Sequence, residues 1–215
     1  MPSGASGLWL VFASLGFWLS WVLMPGVGLT DAAEILERVG ARRTDVLASV
    51  ALQLASAAAY APGLAGILCS AAARASNLLW TGCALLLIGA MGSAADAIFH
   101  LVAFEMTAPG VAPDAVLPVM RRLQGADLVL LLPFVAAFFA GHAVLLVGAR
   151  RIALVGALAP RLLALAPGVA LVGALASRSG VVSGRVVGLA ALGLVSASLA
   201  VLGLTIARAA RPKRR

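Results

Sequence analysis

Charge is the scarcest commodity in this sequence. Asp, Glu, Lys and Arg together make up 11% of 215 residues, where a water-soluble domain carries roughly a quarter. That shortage excludes a typical soluble enzyme, a secreted protein and a nucleic-acid-binding domain. Lysine is nearly missing: fifteen arginines stand beside the single Lys213 in the tail, so a retinal Schiff base inside a membrane has no amine to form on. The two cysteines, Cys69 and Cys83, are spaced neither as CxxC nor as zinc ligands, which removes thiol redox chemistry and leaves both as small apolar packing groups. The two histidines, His100 and His142, are too few for HExxH zinc hydrolysis, and they are expected at opposite depths, which is wrong for a bis-histidine haem. Gly180-Val181-Val182-Ser183-Gly184 is a loose echo of a serine-nucleophile motif, and no glycine-rich loop opens a helix after a strand. No cofactor or metal is implied.

What is present is hydrocarbon. Hydrophobic residues make up 62% of the chain and the mean hydropathy is +1.07. Because a bilayer core of about 30 Å takes about 20 helical residues to cross, the length allows five to seven crossings and leaves no room for a separate soluble domain. The reading is an all-α polytopic transmembrane bundle, residues 1–215 as a single integral membrane domain. Arginine in place of lysine, one Asn and an excess of Ala, Leu, Val and Gly suit a high-GC bacterial genome, hence a bacterial inner membrane.

Six spans are expected, at residues 8–29, 46–70, 78–102, 128–148, 152–177 and 186–207. The first could be taken for a signal peptide, but residues 1–7 carry no side-chain charge, so it is read as a retained helix ending near Pro25-Gly26. Residues 30–45 are the most charged stretch, where Thr30 or Asp31 can cap a short interfacial helix with Ile35 and Leu36 facing lipid or protein and Glu34, Glu37 and Arg38 outward. The second span is rich in Ala and Ser, carries Gln53 and is interrupted at Ala61-Pro62-Gly63; its small side chains suit close helix approach. Arg74 through Asn77 is a turn. In the loop after the third span, Pro113-Asp114 opens a second amphipathic helix with Val116, Leu117, Met120 and Leu123 on one side. The fifth span is ambiguous at Pro160-Arg161: either one kinked helix crosses from residue 152, the favoured version, or residues 150–160 lie on the surface and a shorter helix follows. In the last span Gly188, Gly193 and Gly203 are close-approach points, and no internal repeat supports an inverted-repeat transporter.

The third span holds the residues that lipid should not tolerate. Gly82, Gly89, Ser93, Asp96 and His100 recur at helical spacing and share one stripe, which must face protein or water. An ionised carboxylate costs about 2.5 to 3.5 kcal/mol near the membrane centre, and Asp96 sits about 9 Å inside its span if Val102 marks the end. His100, one turn on, can share a hydrogen bond or proton with it. Glu105 is expected at the interface, and His142 as a helix-packing residue beside Gly141. If the fifth span is continuous, Arg161 lies about 15 Å deep. Asp96 is the only acid within a span, so by elimination the two would pair.

These residues, Asp96, His100, Arg161, Ser93 and Glu105, form the candidate polar site. They leave a non-enzymatic partner-binding, regulatory or accessory subunit as the first reading and a small proton-coupled transporter using Asp96 and His100 as the second. An intramembrane hydrolase built on Asp96, His100 and Glu105 comes third. Expected partners are the bilayer, anionic headgroups at Arg208, Arg211, Lys213, Arg214 and Arg215, and a membrane protein or second copy of the chain; nucleic acid is not among them.

The basic tail places both termini in the cytoplasm by the positive-inside rule. Reporter fusions at residue 40, residue 115 and the C-terminus should read outside, outside and inside, and a periplasmic C-terminus would overturn the assignment.

Overall fold

In hydrocarbon a backbone must satisfy its own polar groups, so uninterrupted apolar runs become helices. The computed structural model describes residues 4–69, 76–127, 129–178 and 183–210. Among them lie α1 (Gly4–Leu23), α2 (Ala32–Ala41), α3 (Arg43–Leu68), α4 (Asn77–Met106), α5 (Pro113–Arg122), α6 (Leu132–Arg151), α7 (Leu158–Arg178) and α8 (Gly184–Ala209). The expected all-α bundle is therefore observed: α1, α3, α4, α6, α7 and α8 are long and apolar enough to cross a membrane, with α2 and α5 as the two short amphipathic helices.

Local chemistry moves several boundaries. α1 stops at Leu23 because Pro25 cannot continue it and Gly26 and Gly28 then take φ of 83° and 85°, a turn that side-chain-bearing residues resist. α3 runs unbroken through Pro62 to Leu68 instead of being interrupted there. Its neighbours hold it: a Cβ on Gly63 would meet Leu10 of α1 at 2.8 Å. The kinked fifth helix from residue 152 is not what forms. α6 continues to Arg151, the chain turns with Ala153 at φ 56°, and α7 starts at Leu158. Pro160 then sits in the first turn, where a missing N–H leaves no hydrogen bond unmade. The expected turn at Arg74 and the tail from Arg211 onward lie outside the described residues.

Neighbouring helices pack in the order α6, α4, α3, α1, α8, α7, and α6 then comes back to touch α7 and α8 only lightly. Small residues fix the tight crossings. A Cβ on Gly7 of α1 would lie 2.4 Å from the Gly203 carbonyl oxygen of α8, and one on Gly82 of α4 would lie 2.5 Å from the Leu145 backbone nitrogen of α6. Side chains also donate across helices to backbone carbonyls: Ser49 to Ser20, Ser56 to Ala13 and Trp18 Nε1 to Leu189.

These contacts are antiparallel and give the bundle two unlike ends. Gly4, Asn77, Arg151, Leu158 and Ala209 share the terminal end. Leu23, α2, Arg43, Met106, α5 and Arg178 share the other, the cap end. There Asp31 caps α2, accepting from the Glu34 amide at 2.9 Å, and Ala32 and Leu36 of α2 pack with Met120 of α5 and Ala103 of α4. Two arginines close helix C-termini: Arg185 donates to the Val22 carbonyl, and Arg43 donates to the Phe104 carbonyl and Thr107 hydroxyl while lying over the Phe104 ring.

Gly82→Ala must push two backbones apart and should cost about 1 to 3 kcal/mol. A Cβ on Gly168, within α7, meets nothing within 4 Å, so Gly168→Ala should be neutral or stabilise by up to about 1 kcal/mol. Thermal unfolding of both variants in detergent checks this; equal effects would contradict the packing described.

Candidate functional site

Because α6 barely touches α7 and α8, the bundle holds a cleft there, a cavity of about 720 Å³. Its walls are almost wholly apolar: Phe134 and Phe138 from α6, Leu163 and Ala166 from α7, Leu192 and Val195 from α8. Phe138 forms the inner wall, with its ring 4.7 Å from Phe17, 6.1 Å from Tyr60 and 4.4 Å from His142 between centroids. At the side, Leu132, Val135 and Phe139 of α6 line the cleft and are 44 to 58% exposed, and Pro167 and Ala170 of α7 opposite them are exposed too. That side faces the lipid of a spanning bundle. Pro167 cannot donate to the Leu163 carbonyl, so α7 lacks one helical hydrogen bond beside the opening.

One end of this chamber is polar. Gln53 of α3 and Ser93 and Asp96 of α4 line it together with Trp21 of α1. Asp96 lies ten residues before the end of α4 at Met106, or about 15 Å along the helix, and its side chain is 19% exposed. Gln53 Nε2 donates to Asp96 Oδ2 at 2.8 Å, and His100 Nδ1 stands 3.7 Å from the same oxygen, too far for a hydrogen bond. The His100 ring meets the Trp21 indole edge to face at 5.7 Å. In the residues that share this end, Trp21 Nε1, Ser93 Oγ and His100 Nδ1 are buried and have no hydrogen-bond partner among the described residues.

Asp96 also borders a second, smaller cavity of about 250 Å³ toward the cap end. Met24, Val39, Phe99, His100, Met120 and Gln124 line it beneath α2 and α5. Asp96, Trp21 and Val27 line both spaces. The carboxylate therefore stands between an apolar chamber reached from the lipid side and a compact vestibule near the membrane surface.

The stripe read from the sequence faces α6 at Gly82 and Gly89 and the chamber at Ser93 and Asp96. Asp96, His100 and Ser93 come together; Glu105 and Arg161 do not join them. Glu105 is exposed near the end of α4. Arg161 is exposed in the first turn of α7, at the terminal end, whereas Asp96 lies in the half of α4 nearer the cap end. The pairing of Asp96 with Arg161 depended on a helix continuous from residue 152, and that helix does not form. His142 is fully buried and its Nδ1 meets the Phe138 carbonyl of its own helix at 2.8 Å, while its Nε2 is unpartnered. Among the described residues no three of His, Cys, Asp and Glu converge.

Gln53 and Trp21 complete the site and were not among the candidates. Gln53 had a signal, since Ser49, Gln53, Ser56 and Tyr60 recur every three to four residues and so share a face of α3; all four are buried. Trp21 had none beyond being an indole in an apolar run. Comparison with protein-family models, curated proteins and solved structures finds no match to the chain.

Two substitutions separate the observed partner of Asp96 from the rejected one. Gln53→Leu leaves the carboxylate without its amide and should cost about 1 to 3 kcal/mol, with a non-additive double mutant alongside Asp96→Ala. Arg161→Ala should change stability by less than about 0.5 kcal/mol and add independently to Asp96→Ala. Chemical or thermal denaturation in detergent reads both; coupling at Arg161 and none at Gln53 would reverse the assignment.

Proposed function

We propose that this multi-pass membrane protein binds a small amphiphile drawn from the bilayer, holding the apolar body in the chamber among α4, α6, α7 and α8 and the polar end at Asp96. One observation carries the reading. A laterally open apolar cavity of about 720 Å³ ends on a carboxylate, and two of the residues lining it there, Trp21 and Ser93, carry buried polar atoms without partners. Ligand sites are commonly apolar clefts of about 300 to 1,000 Å³ with a few converging polar groups, and buried polar atoms without partners call for a ligand or ordered water. Ser93 is 8% exposed, lines the chamber and leaves its hydroxyl unanswered.

The reading belongs to the binding or transport class suggested by Asp96 and His100, with binding as its supported part. An accessory-subunit role draws support from α7, which buries only Ala159 and Ala166 and exposes Leu165, Leu171, Val172 and Leu175. That role gives no reason for a carboxylate at the end of a cavity. For orientation we propose cytoplasmic termini. Arg150, Arg151, Arg161 and Arg208 gather at the terminal end with no acid among its described residues, and with the tail they would meet anionic headgroups. A bacterial inner membrane remains the proposed location.

Photolabelling in vesicles with a neutral diazirine-bearing dodecanol tests the binding site. Label should concentrate on chamber residues such as Phe134, Leu163 and Leu192. Gly188 lines the chamber, and a Cβ there meets nothing within 4 Å, so Gly188→Phe should fill the space without disturbing the core and abolish that labelling. Label confined to outward residues such as Leu171 and Leu175, unchanged in the variant, would overturn the proposal.

A further inference from the structure

The binding reading leaves open what kind of head the amphiphile carries, and the charges around Asp96 decide it. Among the described residues no lysine or arginine forms an ion pair with Asp96, whose one ionisable neighbour within 4 Å is His100, at 3.7 Å. The bases on its side of the bundle are engaged elsewhere or face outward. Arg38 pairs with Glu34 and Arg42 with Asp45, while Arg43 and Arg185 close the C-termini of α4 and α1. Arg121 and Arg122 are exposed on α5, and Arg178 is exposed at the end of α7. The carboxylate receives one amide hydrogen bond, from Gln53. A carboxylate has about four acceptor positions, so most of its capacity is available, and an incoming anion would meet both its charge and the lack of any guanidinium.

From this geometry we infer that the ligand head is a cation, an ammonium on a single-chain or otherwise slender amphiphile. The inference rests on the amphiphile reading and names its chemical class. The ammonium lies against Asp96 with its N–H groups donating to the carboxylate. Charge-assisted hydrogen bonds of this kind are about twice as strong as neutral ones, and they strengthen where water is scarce. Trp21 lines both cavities beside Asp96 and offers a ring to which a cation is attracted. The vestibule of about 250 Å³ limits the head to a small one, and among the described residues its lining includes Asp96 but no lysine or arginine to pair with a phosphate. The chain occupies the chamber and leaves the way it came, between Phe139 of α6 and Pro167 of α7.

Competition against the same neutral photolabel tests the class of head. Full-length protein in phosphatidylcholine vesicles at neutral pH is labelled in the presence of dodecylamine, dodecanol or dodecanoate, which share a chain and differ in head. Dodecylamine should displace the label from chamber residues at about tenfold lower membrane concentration than the other two. In Asp96→Asn the amine's advantage, read as the ratio of dodecylamine to dodecanol potency within that variant, should shrink to about twofold or less, since the amide keeps size and hydrogen bonding but not charge. Equal or better displacement by dodecanol or dodecanoate in the native protein would overturn the cationic head and leave amphiphile binding standing. An amine advantage unchanged in Asp96→Asn would overturn the role of Asp96. Failure of the probe to reach the chamber in native protein would remove the binding reading itself.

Discussion

A carboxylate within a membrane-spanning helix must be answered by something, and here the first answer is a single amide. Placing Asp96 in a span costs about 2.5 to 3.5 kcal/mol near the centre. A hydrogen bond to a charged group returns about 1.5 to 3 kcal/mol. The Gln53 contact is therefore enough to hold Asp96 in place and too little to saturate it. The pair ties α3 to α4 and leaves a charge facing two cavities. Everything proposed about this protein follows from that partial satisfaction.

The rest of the bundle is arranged so that the charge stays reachable. Crossings at Gly7 and Gly203 and at Gly82 and Leu145 bring backbones together toward the terminal end of two separate seams, α1 with α8 and α4 with α6. Cross-helix donors from Ser49, Ser56, Trp18 and Arg185 fasten α1 to its neighbours. Among the described residues no equivalent set joins α6 to α7, and the helices separate there around large side chains. Rigid small-residue packing and a lateral cleft thus go together: the first holds Phe138 against Gly89, and the second leaves space beside it. α2 and α5 cover the cap end, where Met120 packs with Leu36 and Ala103, so the smaller cavity beside Asp96 lies beneath protein.

Composition and apolar run length were enough to read six spans and two amphipathic helices, because lipid allows few other solutions. The stripe on α4 was legible for the same reason, since 3.6-residue spacing leaves Asp96 and His100 no choice but to share a face. Pairing between helices was less visible. Gln53 and Asp96 are 43 residues apart, and nothing local says that α3 and α4 meet at that level. Elimination pointed to Arg161 because Asp96 was the only acid within a span that could answer a deep arginine. Pro160 decided otherwise by settling into a first turn, where it fits without a kink. The cleft was beyond the sequence altogether: it depends on α6 and α7 failing to pack, a property of the whole bundle and of no single residue.

The most direct measurement is an experimental structure of the protein in lipid nanodiscs, at a resolution that shows side chains around Asp96. The account predicts α6 and α7 parted beside Phe139 and Pro167, elongated density between them, and a head group within hydrogen-bond distance of Asp96. An α6 packed tightly on α7, with Asp96 and Ser93 fully hydrogen-bonded by protein side chains and no space between the helices, would contradict it.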